Sequence, residues 1–493
     1  MRGFPLLSLL LLLPFFGACF LIFVTSEMRG LNAKRVALWC TGGAFLVSCI
    51  IALLFDPRKG LQFLEYRILY EKLNIAYAVG VDGLSLPFVL LTTFLTPLCC
   101  LVGWRDPLPH ARLYMGCFLL LETFLLGAFL SLNLFVFYIF FEGTLIPLFF
   151  LIGIWGGTDR FGATLQFFFY MAAGSLVLMA GLIVLFEVNG AFDLPLLLQK
   201  SRSLPVEKLL WVLLFGSFAI KLPLWPFHTW LPRAHGEAPT AVSMILAGVV
   251  LKLAGYGFLR YLLPLFPQAS ALYAPIVFSL SGIGIIILSL VAWAQKDMKR
   301  LLAYSSVAHM AIVNFGIFTG TGLGMKGAVF QMISHGLTSA ALFLLVGYLY
   351  RQYETYHVHR YAGLFQAMPL WSCMFWGAGF AALGVPFTSG FVGEFLVIWD
   401  LLGSHPFWAI MAISGLLLGV VYMGTLWARI LFGRSKNGEF DGGDNNLGVE
   451  YGGVCWVLLS VILFLGLYPS FLLDMIASPI DSLENLLQAV PRS

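Results

Sequence analysis

The feature that most constrains this chain is a succession of apolar runs, each of roughly twenty residues, that recurs along nearly its whole length. A helix of that length crosses the hydrocarbon core of a bilayer. Of the 493 residues, 60% are hydrophobic and 11% are charged, which is far more apolar surface than a soluble core needs. The sequence therefore predicts an all-α polytopic membrane protein.

Windows of roughly twenty residues predict about fourteen transmembrane helices. The predicted spans are 4–24, 36–55, 84–103, 112–131, 133–153, 166–188, 209–231, 240–262, 273–294, 300–319, 326–349, 371–403, 409–432 and 452–470. Two of them contain helix breakers: prolines interrupt 209–231, and the stretch GVPFTSG at 384–390 divides 371–403 into two half-helices. The tail after Ser470 is amphipathic, which is typical of a helix along the membrane surface.

The two interrupted spans stand in corresponding places and indicate an internal repeat, spans four to eight against spans nine to thirteen. Because each unit has an odd number of helices, adjacent repeats have opposite topology, and such inverted repeats place ion sites at the bilayer midplane. The predicted parts are N-terminal helices one to three (1–111), a first five-helix repeat (112–262), a second, inverted repeat (273–432), and a loop, last helix and C-terminal tail (433–493).

The stretch from Phe218 to Pro232 places a lysine and a histidine at bilayer depth beside helix-breaking prolines. A charge at the centre of a membrane helix costs roughly 2.5–3.5 kcal/mol, so Lys221 is a functional candidate by default. Pro223 removes a backbone donor just after it, and broken backbone at membrane depth is tolerated where it is packed in protein or lines a wet cavity. Together with His228 beyond the break, this stretch indicates an ion path.

Two carboxylates lie within predicted spans, Glu122 in LLLETF and Glu142 in FFEGTLIP. Neither has a basic neighbour in the sequence. A buried carboxylate changes its protonation as the charges around it move, so Glu142 close to Lys221 would suit proton transfer. A second interpretation stays open for both acids, namely that each is permanently protonated and only donates hydrogen bonds that hold neighbouring helices together.

Lys252 lies deep in an apolar span, and Arg260, two turns further on, already marks the end of that helix. Lys252 is therefore too deep to snorkel to the interface, and a desolvated lysine can load and release a proton. His309 and His335 lie in later spans, and histidine relays protons through either ring nitrogen. Hydrogen-bonded packing is the alternative role for these histidines. Metal ligation is disfavoured, because no second ligand stands at suitable spacing on the same face.

Glu394 follows the second helix break, roughly where Lys221 stands in the first repeat, and would be a terminal site; the alternative is an acid at the headgroups. The chain thus offers a row of acid, lysine, lysine, histidines and acid on different spans.

The sequence signals of other function classes are absent. There is no basic stripe for nucleic acid, no cysteine spacing for zinc or iron–sulfur clusters among the eight cysteines, and no glycine-rich phosphate loop. The predicted chemistry is ion movement.

Five stretches closely resemble the antiporter-like subunits of respiratory complex I. They are AIKLP (219–223), FHTWLPRAHGEAPT (227–240), AGVVLK (247–252), AYSSVAHM (303–310) and SGFVGEF (389–395). The resemblance extends from about Gly80 to Phe432 and is less specific in the first two spans and the tail.

The resemblance implies a fourteen-helix subunit with two inverted five-helix repeats, which pumps protons in the membrane arm while NADH reduces ubiquinone in the other arm. It implies proton translocation by Glu142, Lys221, Lys252 and Glu394. The relay residues would be Glu122, His309 and His335, to which the sequence adds His228. At the terminal site, related chains of types 2 and 5 carry lysine where this chain carries Glu394.

The same resemblance implies a non-redox subunit of an H⁺-translocating NADH:ubiquinone reductase. This chain would bind no cofactor or metal, with NADH, FMN, Fe–S clusters and ubiquinone elsewhere in the complex. Its partners would be other complex I subunits, especially antiporter-like chains 2 and 5, and membrane lipids. We expect the mitochondrial inner membrane, or alternatively a bacterial plasma membrane. Other interpretations are a Na⁺/H⁺ antiporter subunit, the corresponding subunit of the photosynthetic NDH complex, and a structural scaffold, against which the buried ionisable row argues.

Overall fold

The structure, a computed structural model, describes residues 4–24, 30–71, 74–104, 108–200, 204–432 and 447–489. The helices are α1 (Leu6–Cys19), α2 (Gly30–Leu54), α3 (Leu86–Leu101), α4 (Ala111–Leu130), α5 (Leu134–Gly143), α6 (Leu145–Trp155), α7 (Arg160–Asn189), α8 (Leu194–Leu198), α9 (Leu204–Lys221), α10 (Trp230–Glu237), α11 (Thr240–Ile245), α12 (Lys252–Gly257), α13 (Leu263–Leu265), α14 (Pro267–Ala294), α15 (Met298–Phe318), α16 (Gly322–Tyr353), α17 (Leu364–Ala367), α18 (Pro369–Ala382), α19 (Ser389–Ser404), α20 (Pro406–Ile430), α21 (Val454–Leu467) and α22 (Ser470–Gln488). π-Helical turns occupy Phe20–Val24, Leu246–Val250, Phe258–Leu262 and Gly448–Gly453, and a 3₁₀ turn occupies Val358–Arg360. The strands are β1 (Gln62–Tyr70) and β2 (Ile75–Val81).

Most of the predicted spans are continuous helices. Within the described residues, eleven helices are long and apolar enough to cross a membrane. The other three predicted spans correspond to a shorter helix, α3, and to two broken ones, α9 with α10 and α18 with α19. The polytopic helical fold is confirmed, whereas the number of fourteen crossings stays a prediction.

Inner and outer helices differ in exposure. Every residue in the apolar windows of Thr240–Leu265 and α16 is buried, and so are 94% of those in α15. In α7, α14 and α20 half or fewer are buried, and large apolar side chains such as Phe169, Leu290 and Leu417 are exposed. The outer helices therefore present an apolar surface suited to lipid. Of the eight predicted ionisable residues, all except the half-buried Glu142 are buried.

The predicted break after Lys221 is present. α9 ends at this residue, and Pro223, with φ 21°, turns the chain away from the helix. The Trp230 indole N–H then reaches the freed Ile220 carbonyl at 2.9 Å. A backbone acceptor that the break would leave unpaired is thus satisfied within the protein.

The second predicted break is also present. α18 ends at Ala382 and α19 begins at Ser389. Between them, Gly384 takes the left-handed conformation, with φ 62°, that glycine adopts readily. The predicted span 371–403 is therefore two helices joined by a turn.

The connection between the predicted spans 36–55 and 84–103 contains a β-hairpin that the sequence reasoning missed. β1 and β2 pair antiparallel, from Gln62 opposite Val81 to Tyr70 opposite Ile75. The hairpin is tied to the loop before α8 by the Tyr66 hydroxyl, which donates to Asp193 at 3.1 Å. Both strands are rich in aromatic and aliphatic residues, which is the usual sequence signal for a strand.

One strand residue caps the first helix. A Glu65 carboxylate oxygen accepts hydrogen bonds from the backbone N–H groups of Leu7 at 2.9 Å and Ser8 at 3.2 Å. The Ser8 hydroxyl donates to the other oxygen of Glu65 and contacts the Tyr77 hydroxyl at 2.9 Å. The first N–H groups of a helix lack partners within it and favour a negative charge. The hairpin therefore holds the start of α1.

The C-terminal helix α22 packs against α13 and α16, and its Asp481 forms an ion pair with Lys326 of α16 at 2.7 Å. Its apolar side, including Ile476 and Ile480, is buried, so the predicted amphipathic character is confirmed. In the predicted last part of the chain, residues 433–446 lie outside the described residues. The predicted domain boundaries stay predictions.

Glu65→Ala should open the first turn of α1, because the N–H groups of Leu7 and Ser8 lose their acceptor. Loss of a helix cap costs about 0.5–2 kcal/mol, which corresponds to a roughly two- to thirtyfold larger equilibrium constant for opening and equally faster amide exchange. Hydrogen–deuterium exchange at residues 6–10 of the detergent-solubilised protein measures this change. Glu71→Ala, which alters an exposed acid just after β1, is the control, and equal exchange in the two variants would contradict the capping role.

Candidate functional site

The Lys221 ammonium is held by the end of another broken helix. It donates to the Phe141 carbonyl at 2.5 Å, in the last turn of α5, where carbonyls lack helical partners. The Thr144 hydroxyl donates to the same oxygen at 2.8 Å. The ammonium also lies 3.5 Å from the centre of the Phe141 ring, and the residue is only 4% exposed. A carbonyl dipole and an aromatic face both stabilise the positive charge.

Glu142 follows Phe141 directly at the end of α5 and is half-buried. Its carboxylate lies beside the Ser175 hydroxyl of α7 and interacts electrostatically with Lys221. None of the ion pairs among the described residues joins Glu142 to Lys221. The two predicted partners therefore meet at one helix end without forming an ion pair.

Lys252 is fully buried and begins α12 directly after the π-helical turn Leu246–Val250. Its ammonium donates to the Ala247 carbonyl inside that turn and to His335 Nδ1 at 2.8 Å. When Lys252 is a charged ammonium it only donates, so Nδ1 then accepts and the neutral His335 ring carries its proton on Nε2.

His335, His309 and Glu394 continue this chain of polar contacts. The two histidine ring centres are 5.7 Å apart, and His309 Nδ1 lies 3.0 Å from one Glu394 oxygen, Oε1. The Gln331 amide donates to the same oxygen at 2.8 Å. Lys252, His335, His309 and Glu394 come from four different helices, α12, α16, α15 and α19. We call these four residues the polar row.

A small cavity borders the polar row. Its volume is about 20 Å³, and it is lined by both histidines, by Gln331 and by the hydroxyl side chains Ser305, Ser306, Ser334, Thr338 and Ser339. A cavity whose volume is measured in the same way needs about 10–15 Å³ to hold one water molecule. The cavity therefore has room for about one water in contact with the row.

Two predicted residues lie apart from the row. Glu122 is fully buried on α4, and neither of its oxygens has a hydrogen-bond partner among the described residues. The groups that interact with it electrostatically include the thiols of Cys40, Cys99 and Cys100 on α2 and α3. His228 lies in the turn between α9 and α10, and its Nδ1 likewise has no partner in the described part of the chain. Their relay roles stay predictions.

His235 is a residue to which the sequence reasoning gave no role. It is fully buried on α10, neither ring nitrogen has a partner among the described residues, and the ring stacks on Phe343 at 4.5 Å. It interacts electrostatically with Lys252, Lys299 and His335. The available signal was a second histidine, seven residues after the one selected, in the same quoted stretch.

The arrangement suits proton transfer across several helices. Histidine takes up a proton on one ring nitrogen and releases one from the other, and hydroxyl groups with a water extend such a path. Within the described ranges, no group of three or more His, Cys, Asp and Glu side chains is arranged to hold a metal ion.

The chain is similar to membrane subunits of respiratory enzymes. A family model described as NADH:quinone oxidoreductase/Mrp antiporter, TM matches residues 131–419. The chain is 40% identical over 492 residues to NADH-quinone oxidoreductase subunit M of Rickettsia prowazekii (strain Madrid E), with 99% of each covered. It is also 40% identical over 492 residues to NADH-ubiquinone oxidoreductase chain 4 of Chondrus crispus, with 98% of this chain and 99% of that protein covered.

The similarity extends to a solved structure. A chain of the respiratory complex I from Thermus thermophilus with bound NADH superposes with a TM-score of 0.89 at 28% sequence identity, with 98% of this chain and 99% of that chain covered. The matched family region, 131–419, contains Glu142, Lys221 and the whole polar row, whereas Glu122 lies outside it.

Gly384→Ala should disturb the site around Glu394. Gly384 has φ 62°, and an added Cβ would lie 2.5 Å from Glu394 Oε2, so alanine meets both backbone strain of about 1–3 kcal/mol and a steric clash. We expect a lower thermal unfolding midpoint in detergent than for Gly403→Ala on α19, where a Cβ meets nothing within 4 Å. Equal midpoints would contradict the tight fit.

Proposed function

The chain belongs to the family of NADH:quinone oxidoreductase and Mrp antiporter transmembrane subunits, and on this premise we propose that it is a proton-translocating subunit of the membrane arm of respiratory complex I. The observation that carries the proposal is the polar row, in which Lys252 contacts His335 and His309 contacts Glu394. All four residues are buried, with at most 8% of each exposed. Buried ionisable groups are costly in a membrane, and a scaffold would not need them.

In this proposal the histidines connect two proton-binding sites, Lys252 and Glu394. A proton that passes from Lys252 to His335 Nδ1 allows another to leave from Nε2 of the same ring. The water-sized cavity carries that proton to His309, whose Nδ1–H faces Glu394 at 3.0 Å. Each completed transfer moves one proton through a briefly cationic histidine and leaves that ring neutral as its other tautomer.

Glu142 and Lys221 form the proposed site of the first repeat. Their electrostatic interaction means that a change of protonation on one alters the affinity of the other for a proton. His235, which interacts with Lys252, would connect this site to the row, and Glu122 and His228 would act as further relays. The proposed units are the inverted repeats 112–262 and 273–432.

The proposed subunit carries no redox chemistry of its own. NADH, FMN, Fe–S clusters and ubiquinone would belong to other subunits of the complex. Antiporter-like chains 2 and 5 would be its neighbours, together with membrane lipids. We propose the mitochondrial inner membrane as its location, with a bacterial plasma membrane as the alternative that the Rickettsia relative supports.

Membership of the complex is tested by gentle detergent extraction and native electrophoresis with an NADH-oxidation stain. We expect the chain, followed by mass spectrometry, to migrate with a very large band that oxidises NADH. A small assembly without this activity would contradict the proposal and favour the Na⁺/H⁺ antiporter, for which sodium-dependent proton flux in vesicles is the next test.

Lys221→Ala should abolish most quinone-linked proton pumping while the complex stays assembled, because Glu142 loses the cation with which it interacts. Proton uptake per NADH oxidised in proteoliposomes measures the effect, and Glu142→Ala should behave alike. The matched control is Lys326→Ala, which removes a lysine from the ion pair with Asp481. Near-normal pumping by Lys221→Ala would show that its assigned role is wrong.

A further inference from the structure

A buried ion pair ties the loop after the hairpin to the helix that carries Lys252. Asp82 lies between β2 and α3 and is 5% exposed. Arg260, in the π-helical turn Phe258–Leu262, donates to both of its oxygens, from Nη1 at 2.8 Å and from Nη2 at 2.6 Å. The backbone N–H groups of Leu84 and Ser85 donate to the same carboxylate at 3.1 and 3.0 Å. Such bidentate hydrogen bonding fixes the orientation of the guanidinium as well as its distance from the carboxylate.

The charge on this pair is stable. Burial by itself would raise the pKa of Asp82, but the Arg260 guanidinium and the hydrogen bonds from Ser85 hold it below its usual value. Asp82 therefore stays ionised at neutral pH. The pair is a permanent structural contact and not a group that titrates during a reaction.

The ion pair is connected to Lys252 through one helix. Lys252, Tyr256 and Arg260 are spaced four residues apart, which places them near one another on the helix surface. Arg260 Nε donates to the Tyr256 hydroxyl at 2.9 Å, and this hydroxyl donates to the Phe129 carbonyl of α4 at 2.9 Å. The Tyr256 ring packs edge-on against Phe88 and Phe129, with ring centres 5.8 and 5.2 Å apart. Rotation of this helix is thus restricted.

Two π-helical turns flank α12. Lys252 donates to Ala247, which lies five residues earlier on the same helix, and Arg260 binds Asp82 from the turn after α12. A π-helical turn interrupts the regular bonding of a helix and is frequent at functional sites. Of these two contacts, only the one between Arg260 and Asp82 ties the helix to another element.

We propose that Asp82 and Arg260 are positioning residues for proton transfer at Lys252. The ion pair holds α12 at the height and rotation where the Lys252 ammonium meets His335 Nδ1 at 2.8 Å. This inference rests on the proposed function of Lys252, and neither member of the pair carries the transferred proton. The loop after the surface hairpin would therefore control the geometry of a buried step.

The test uses the whole complex with Asp82→Asn and, separately, Arg260→Lys. Rates are divided by the amount of assembled complex measured by native electrophoresis. For Asp82→Asn we expect quinone reduction and proton pumping per complex to fall about tenfold or more, since a misplacement near 1 Å can cost about 100-fold. Arg260→Lys keeps the positive charge but cannot form the bidentate hydrogen bonds, so its rate per complex should fall less than that of Asp82→Asn. NADH oxidation with an artificial water-soluble acceptor should be unchanged.

Two controls separate the possible outcomes. Asp481→Asn breaks a different ion pair, with Lys326, and should leave the rate per complex unchanged. Normal pumping by Lys252→Ala would overturn the proposed function of Lys252 itself. If Lys252→Ala is impaired while both variants of the pair run at the wild-type rate per complex, only the positioning role is wrong.

A structural measurement tests the positioning role of the ion pair without any measurement of rates. Cryo-electron microscopy of the Asp82→Asn complex, or of Asp82→Glu where the first variant does not assemble, should show a distance from Lys252 Nζ to His335 Nδ1 longer than 2.8 Å. An unchanged distance overturns the positioning role.

Discussion

A lysine ammonium inside an apolar helix bundle is stable only where fixed dipoles replace the water that it has lost, and this chain provides those dipoles at helix irregularities. Lys221 donates to a carbonyl in the last turn of α5, and Lys252 donates to one inside a π-helical turn. Lys299 donates to the Ala238 carbonyl just after α10, and Lys34 to the Gly103 and Trp104 carbonyls just after α3. These four lysines, the buried ones in the described part of the chain, all use carbonyls that a regular helix would not expose. The broken helices are therefore a condition for the buried charges.

This dependence explains which parts of the site could be predicted from sequence. Proline and glycine reveal the breaks at 223 and 384, and lysine or glutamate inside an apolar run is conspicuous because it is costly. The contact partners are not readable in this way, since Lys252 and His335 are 83 residues apart and meet only through packing. The orientation of α4, which directs Glu122 toward the thiols of α2 and α3, is equally invisible to a hydropathy window. The hairpin was missed because its strands, nine and seven residues long, are shorter than such a window.

The two halves of the proposed path differ in how they are connected. From Lys252 to Glu394, short contacts and a water-sized cavity form an almost continuous row. Between Lys221 and Lys252 no hydrogen bond is present among the described side chains. His235, which interacts electrostatically with Lys252, has both ring nitrogens unpaired among the described residues. A gap of this kind is useful to a pump, because a continuous hydrogen-bonded path would let protons flow back along their gradient.

The end of the row shows how a proton can be loaded without disrupting the contacts that hold the site. Glu394 Oε1 faces two groups, His309 and Gln331, whereas Oε2 has no hydrogen-bond partner among the described residues. The nearby backbone belongs to Gly384, and because this residue has no side chain, the buried Oε2 fits against it, where an added Cβ would lie 2.5 Å away. A proton arriving on Oε2 would neutralise the carboxylate while the contacts to Oε1 remain in place.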